Sequence, residues 1–133
     1  MPIVKCDWIT RDEVRAHPNR LFVFGDNMQR RGYGGQAHEM RGEPNAVGVP
    51  TKWAPSNGSA AFFSDADYDA VIGAIIDSMM TIELALDRGE VVVVPARGVG
   101  TGLADLQRRA PRIAAYIERT MDELETTYGV DDI

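Results

Sequence analysis

Two glycine-rich turns, each placed directly after a short apolar run, constrain this chain more than any other feature. The first run, residues 21–24, leads into Gly25-Asp26-Asn27 and then Gly32-Tyr33-Gly34-Gly35. The second, residues 91–94, leads through a proline into Gly98-Val99-Gly100-Thr101-Gly102. Glycine lets a backbone approach a ligand closely, and a helix start offers unpaired N–H groups, so each turn predicts an anion site, most often for phosphate. Two such turns predict a nucleotide that carries a diphosphate.

The totals favour one ordinary globular domain covering residues 1–133. The chain has 133 residues, of which 44% are hydrophobic, enough for a single core. No run has the length of a membrane span or the features of a signal peptide, and Cys6 has no second cysteine with which to form an intrachain disulfide. We therefore expect a cytoplasmic protein without a membrane partner.

Charge is unevenly distributed along the chain. The net charge is −6, but residues 1–52 carry eight Lys/Arg against six Asp/Glu, and the remainder carries six against fourteen. A broad nucleic-acid face usually needs a basic stripe, which this balance disfavours. A small anionic ligand held locally is the expected partner.

Strands and helices alternate in the predicted organisation. Strands are expected at residues 3–8, 21–24, 46–50 and 91–94, with an edge strand or a loop at 60–63. Helices are expected after Thr10, at residues 36–41, from Asp65 to about Arg88, and from Leu106 onward. This alternation predicts a layered α/β domain.

Several polar residues at predicted strand ends are candidates for chemistry. Asp26 and Asn27 end one strand, where ligands of open α/β sheets bind, although both are also common turn formers. Lys52 ends another strand and is a phosphate ligand, a nucleophile or a plain surface lysine. Asp105 follows the second glycine turn, either as a helix cap or as a group that orients a water or a lysine. The spacing of histidines and the cysteine predicts no metal site, and no cofactor is expected.

The order of these motifs resembles the macro domain superfamily over about residues 3–125. The shared order is a strand, Gly-Asp-Asn, Gly-Tyr-Gly-Gly, a strand with Pro-Thr-Lys, a long helix, a strand and Gly-Val-Gly-Thr-Gly-Leu. The chain is most similar to the terminal ADP-ribose glycohydrolase-like branch and to phage-associated macro-like proteins. The resemblance implies a three-layer α/β/α fold with a central mixed sheet. It also implies binding of ADP-ribose, free or on an ADP-ribosylated macromolecule.

The resemblance also implies roles for single residues. Asp7 matches the family's adenine-binding aspartate, Asn27 matches its distal-ribose asparagine, and Lys52 matches the lysine of a Thr-Lys pair. Asp105 matches a catalytic aspartate with a shift of one position. The diphosphate loops correspond to Gly34-Gly35, with Gly25 before them, and to Gly98, Val99, Gly100, Thr101 and Gly102.

Three functions remain open at this stage. The first is ADP-ribose binding with hydrolysis of an ADP-ribosyl linkage, either by Lys52 with Asp105 or by a water that Asp26 or Asp105 positions. The second is a non-catalytic ADP-ribose reader. The third is a phage or mobile-element protein that sequesters a nucleotide signal.

Overall fold

The computed structural model of the protein describes residues 2–132, and these residues contain five strands. They are β1 (Ile3–Cys6), β2 (Leu21–Asn27), β3 (Ala46–Lys52), β4 (Val92–Pro95) and β5 (Val130–Asp132). The α-helices are α1 (Arg11–Ala16), α2 (Ala37–Met40), α3 (Tyr68–Asp87), α4 (Leu106–Arg109) and α5 (Pro111–Tyr128). Two 3-10 turns, Ser59–Ala61 and Asp65–Asp67, precede α3. Nothing among these helices is long and apolar enough to cross a membrane.

The strands form one sheet in the order β3-β2-β4-β1-β5, and all four neighbouring pairs are parallel. The expectation of a mixed sheet is therefore wrong for the described residues. Each strand is joined to the next through helical structure, so the chain crosses back before every strand and runs in the same direction again. Residues 60–63, expected as an edge strand or a loop, contain the end of the 3-10 turn Ser59–Ala61. Phe62 follows this turn and forms one isolated antiparallel bridge with Lys52.

Two apolar clusters on opposite faces of the sheet confirm the layered α/β prediction. Successive residues of a strand point to opposite faces. Phe22 and Phe24 pack with α1 and α2, whereas Val23 between them packs with α3 and α5. In β4, Val93 belongs to the first cluster and its two valine neighbours to the second. Helices thus cover both faces of the sheet.

Local signals explain where the helices begin and end. Thr10 caps α1 as expected, with its Oγ1 accepting a hydrogen bond from the Glu13 amide at 3.2 Å. The single helix expected from Leu106 is instead split into α4 and α5 at Ala110, which has φ −143° and ψ 68°. Pro111 follows at the first position of α5, and a proline disfavours helical geometry in the residue before it.

Candidate functional site

The two glycine-rich loops lie side by side because their strands are neighbours in the sheet. β2 leads through the first loop to α2 on one face, and β4 leads through the second loop to α4 and α5 on the other. Where adjacent parallel strands send their chains to opposite faces, a crevice opens at their carboxyl ends, and ligands of open α/β sheets bind there. The loops therefore border a crevice of the kind in which such ligands bind, and the topology creates it.

A cavity of about 320 Å³ occupies this crevice. Every residue predicted for the site except Asp105 lines it, namely Asp7, Gly25, Asp26, Asn27, Gly34, Gly35, Lys52, Gly98, Val99, Gly100, Thr101 and Gly102. Residues separated by up to 95 positions in sequence are thus brought to one place.

Backbone amides in both loops are unused. Within residues 2–132, the N–H groups of Val99, Gly100 and Gly102 donate no hydrogen bond, nor do those of Gly34 and Gly35. All five belong to residues that line the cavity. Unpaired amides gathered around a concave surface are a means of binding an anion.

The strand end and the second loop approach each other closely. A Cβ atom on Gly25 would lie 3.6 Å from the amide nitrogen of Gly100, in ordinary contact. Gly100 itself has φ +84°, and a Cβ there would lie 3.0 to 3.2 Å from Leu106 and Thr51. Glycine is required at Gly100 both by its backbone conformation and by its neighbours.

Asn27 presents an acceptor that has no partner. The residue is 6% exposed, and its Nδ2 donates to the carbonyl oxygen of Arg31 at 2.7 Å. Its Oδ1 is buried and has no hydrogen-bond partner among the described residues. Because buried polar atoms are nearly always satisfied, this oxygen suits a donor supplied by a ligand.

Asp26 is held by arginines. Its carboxylate accepts hydrogen bonds from Arg41 and, at 3.4 Å, from Arg30. It also accepts the Asn27 amide at 2.8 Å and packs against Gly48, where a Cβ would lie only 2.5 Å from Oδ2. Asp26 lines the cavity, but its carboxylate oxygens are already engaged.

Lys52 is buried and has no carboxylate partner among residues 2–132. It is 8% exposed, and its Nζ lies 4.6 Å from the centre of the Phe62 ring. The guanidinium carbon of Arg109 lies 3.8 Å from the centre of the same ring. Burial, and secondarily the positive charge of Arg109, lower the pKa of Lys52 below the ordinary lysine value.

Asp105 lies outside the cavity lining. Its carboxylate forms ion pairs with Arg108 at 2.5 Å and with Arg109 at 3.4 Å, and its φ is +49°. The charged neighbour of Lys52 is therefore Arg109, which sequence reasoning did not single out. Arg109 ends α4, and nothing in the sequence around it indicates that it approaches Lys52 at the end of β3.

Two exposed apolar side chains lie at the cavity. Trp8 is 50% exposed and Leu103 is 64% exposed, and both line it. A Cβ on Gly34 would lie 3.5 Å from Cδ1 of Leu103, so the two glycine loops meet at this leucine. Trp53, the other tryptophan, instead packs edge-on against Phe63 and donates from Nε1 to Asp67.

The cavity is basic although the chain is acidic. Its charged lining residues are Arg31, Arg41, Lys52 and Arg97 against Asp7 and Asp26. No group of three or more His, Cys, Asp or Glu side chains in the described part of the chain is arranged to hold a metal ion. The lining fits an anionic organic ligand.

A family model matches residues 4–120 of the chain, and its description is "Family of unknown function (DUF7831)". The chain belongs to the DUF7831 family. No curated protein and no solved structure matches it. The part of the chain that matches the DUF7831 model contains every residue that lines the cavity.

Proposed function

We propose that this DUF7831 protein binds ADP-ribose, or a closely related nucleotide with a diphosphate, in the crevice between β2 and β4. The observation that carries the proposal is the convergence of two glycine loops, each with unused amides, on one cavity. One such loop can bind one phosphate through its backbone N–H groups, and two neighbouring loops can bind the two phosphates of a diphosphate. The loops account for the two phosphates, and the other parts of the proposed ligand are inferred from the resemblance to macro domains.

Charge matching supports a diphosphate. Arg41 neutralises Asp26 by direct ion pairing. The remaining charged lining residues are Arg31, Lys52 and Arg97 against Asp7, a net charge of about +2 that equals the charge of a diphosphate ester in magnitude. Lys52 in particular is buried and pairs with no carboxylate in the described part of the chain, and a phosphate would compensate its charge.

The remaining lining residues suit the sugar and the base. Asn27 Oδ1 would accept a hydrogen bond from a ribose hydroxyl, since it is buried and unpaired. Asp7, which lines the cavity and is exposed, would accept a hydrogen bond from the adenine amino group, the role that the macro-domain resemblance implies. Trp8 beside it offers an exposed aromatic face to a base.

Binding without turnover is the favoured form of this proposal. A hydrolytic aspartate must reach the substrate, yet Asp105 is outside the cavity lining and Asp26 is engaged by Arg41 and Arg30. Hydrolysis remains a second candidate for one reason. Burial lowers the pKa of Lys52, which favours the neutral, nucleophilic amine.

Calorimetric titration with ADP-ribose, NAD and cyclic ADP-ribose tests the proposal. We expect ADP-ribose to bind, and Gly102→Glu to abolish binding because it places a carboxylate beside the phosphate loop. Gly102 has open space at its Cβ position and no positive φ, so the substitution does not strain the backbone. Gly73→Glu on α3, also with open space, is the matched control. Absence of ADP-ribose binding to the unmodified protein would refute the proposal.

The same titration and an activity assay separate the alternatives. Stronger binding of cyclic ADP-ribose or NAD than of ADP-ribose would favour sequestration of another nucleotide. Release of ADP-ribose from an ADP-ribosylated protein, lost in Lys52→Ala, would favour hydrolysis. Binding of ADP-ribose with no such release would support a reader.

A further inference from the structure

Arg41 ties the first glycine loop to the strand end beneath it. From the C-terminal end of α2, its Nε donates to the carbonyl oxygen of Gly32 at 2.6 Å. Its Nη2 donates to the carbonyl oxygen of Arg31 at 3.2 Å, and both terminal nitrogens donate to the carboxylate of Asp26. One mostly buried guanidinium thus connects three points of the loop and strand.

These contacts determine how Asn27 is presented. Asp26 Oδ1, which Arg41 holds, accepts the backbone N–H of Asn27 at 2.8 Å. The carbonyl oxygen of Arg31, which Arg41 also holds, accepts Nδ2 of Asn27 at 2.7 Å. With Nδ2 engaged in this way, Oδ1 is the atom left as an unpaired acceptor.

We propose that Arg41 is a positioning residue for ligand binding, an inference that rests on the proposed function. Arg41 fixes the first loop before the ligand arrives, with the amides of Gly34 and Gly35 unpaired and Oδ1 of Asn27 left as an acceptor. Its charge is neutralised by Asp26, so it acts through the loop and not as a counter-ion for phosphate.

The physical advantage lies in the entropy of the loop. A segment with glycine at three of its four positions from 32 to 35 has many accessible backbone conformations. If the ligand had to order that segment, the lost entropy would reduce the affinity. Hydrogen bonds from one guanidinium to the successive carbonyl groups of Arg31 and Gly32 fix the start of that segment in advance.

The test separates the loop contacts from the charge balance of Asp26. Arg41→Gln alone leaves a buried carboxylate with only its weaker arginine partner, which destabilises the fold. The double variant Asp26→Asn/Arg41→Gln removes that charge as well. We expect it to melt near the wild-type temperature and yet bind ADP-ribose about tenfold more weakly, as expected when hydrogen bonds of ordinary strength are lost.

Three single variants complete the comparison. Asp26→Asn keeps the Arg41 contacts with Gly32 and Arg31 and leaves one more positive charge at the cavity, so it should bind at least as tightly as the wild type. Arg41→Lys should recover part of the affinity, since one ammonium reaches fewer of the acceptors than a guanidinium fork. Arg30→Gln is the matched control, because Arg30 contacts Asp26 but donates to Gly48 and not to the first loop.

A measurement without ligand keeps this inference distinct from the proposed function. In ¹⁵N spectra of the free protein, the amide signals of residues 32–35 should move in the Arg41 variants and stay in place in Arg30→Gln. Unchanged signals and affinity in Asp26→Asn/Arg41→Gln would overturn the inference, as would an equal loss of affinity in Arg30→Gln. Failure of the wild type to bind ADP-ribose would refute the proposed function, whereas these signals would still report on Arg41.

Discussion

At the scale of the single residue, two opposing effects act on the charge state of Lys52. Burial and the neighbouring Arg109 favour its neutral form, whereas a bound phosphate would favour its charged form. A nucleophilic lysine profits from the first effect and a phosphate-binding lysine from the second. The absence of an available aspartate beside Lys52 among the described residues makes phosphate binding the simpler role.

The pH dependence of ADP-ribose affinity should report the charge state of Lys52. A charged Lys52 favours binding of the diphosphate, so ADP-ribose affinity should fall as pH rises through the lowered pKa of Lys52. That fall should begin below the range of an exposed lysine, about 10.4. Where Lys52 is partly neutral, binding should be accompanied by proton uptake, measurable by calorimetry in buffers of different ionisation enthalpy.

Arginine substitutions provide the controls for this profile. Lys52→Arg should bind with little pH dependence in the same range, because a guanidinium stays charged. Lys5→Arg, at the other lysine of the chain, should keep the wild-type profile, since Lys5 pairs with Glu125 away from the cavity. The same alkaline fall in Lys52→Arg as in the wild type would contradict the assignment.

Single residues also show the limit of reading the sequence. The unused amides at Gly34 and Gly100 could be predicted because glycine after an apolar run is a local pattern. The role of Arg41 could not, because its contacts with Asp26 and Gly32 depend on where α2 ends in three dimensions. The pairing of Asp105 with Arg108 and Arg109, by contrast, is local, because residues three and four positions apart meet on a helix, so the sequence does indicate it.

At the scale of elements, long patterned segments were predictable and short ones were not. The positions of β2, β4 and α3 follow from continuous apolar runs and from helical spacing, and the structure confirms them within a few residues. β5, Val130–Asp132, was missed because two of its three residues are aspartates, which are rare in strands. It is recruited by parallel pairing with β1, a long-range interaction.

The site depends more on the order of the strands in the sheet than on the presence of the individual strands. Two glycine loops could follow two strands anywhere in a sheet. They form one cavity here because β2 and β4 are neighbours and their chains leave to opposite faces. Sequence predicts that such loops exist, whereas only topology makes them adjacent.

At the scale of the whole molecule, one sheet separates two cores that cannot exist without each other. The cluster around Phe22 and the cluster around Val23 use alternate residues of the same strands. Loss of either helical layer exposes one apolar face of the shared sheet to water. The described chain should therefore unfold as one cooperative unit.

Thermal unfolding with and without ADP-ribose tests this picture. We expect one transition, with the same midpoint by tryptophan fluorescence and by far-ultraviolet circular dichroism. A ligand at a hundred times its dissociation constant stabilises the native state by about 2.7 kcal/mol, which corresponds to a rise in Tm of several degrees for a domain of this size. Because the crevice joins β2 and β4 at the centre of the sheet, the entire transition should shift and not a part of it. Two transitions, or a shift seen by one probe alone, would show that the layers unfold separately and that the ligand stabilises only one of them.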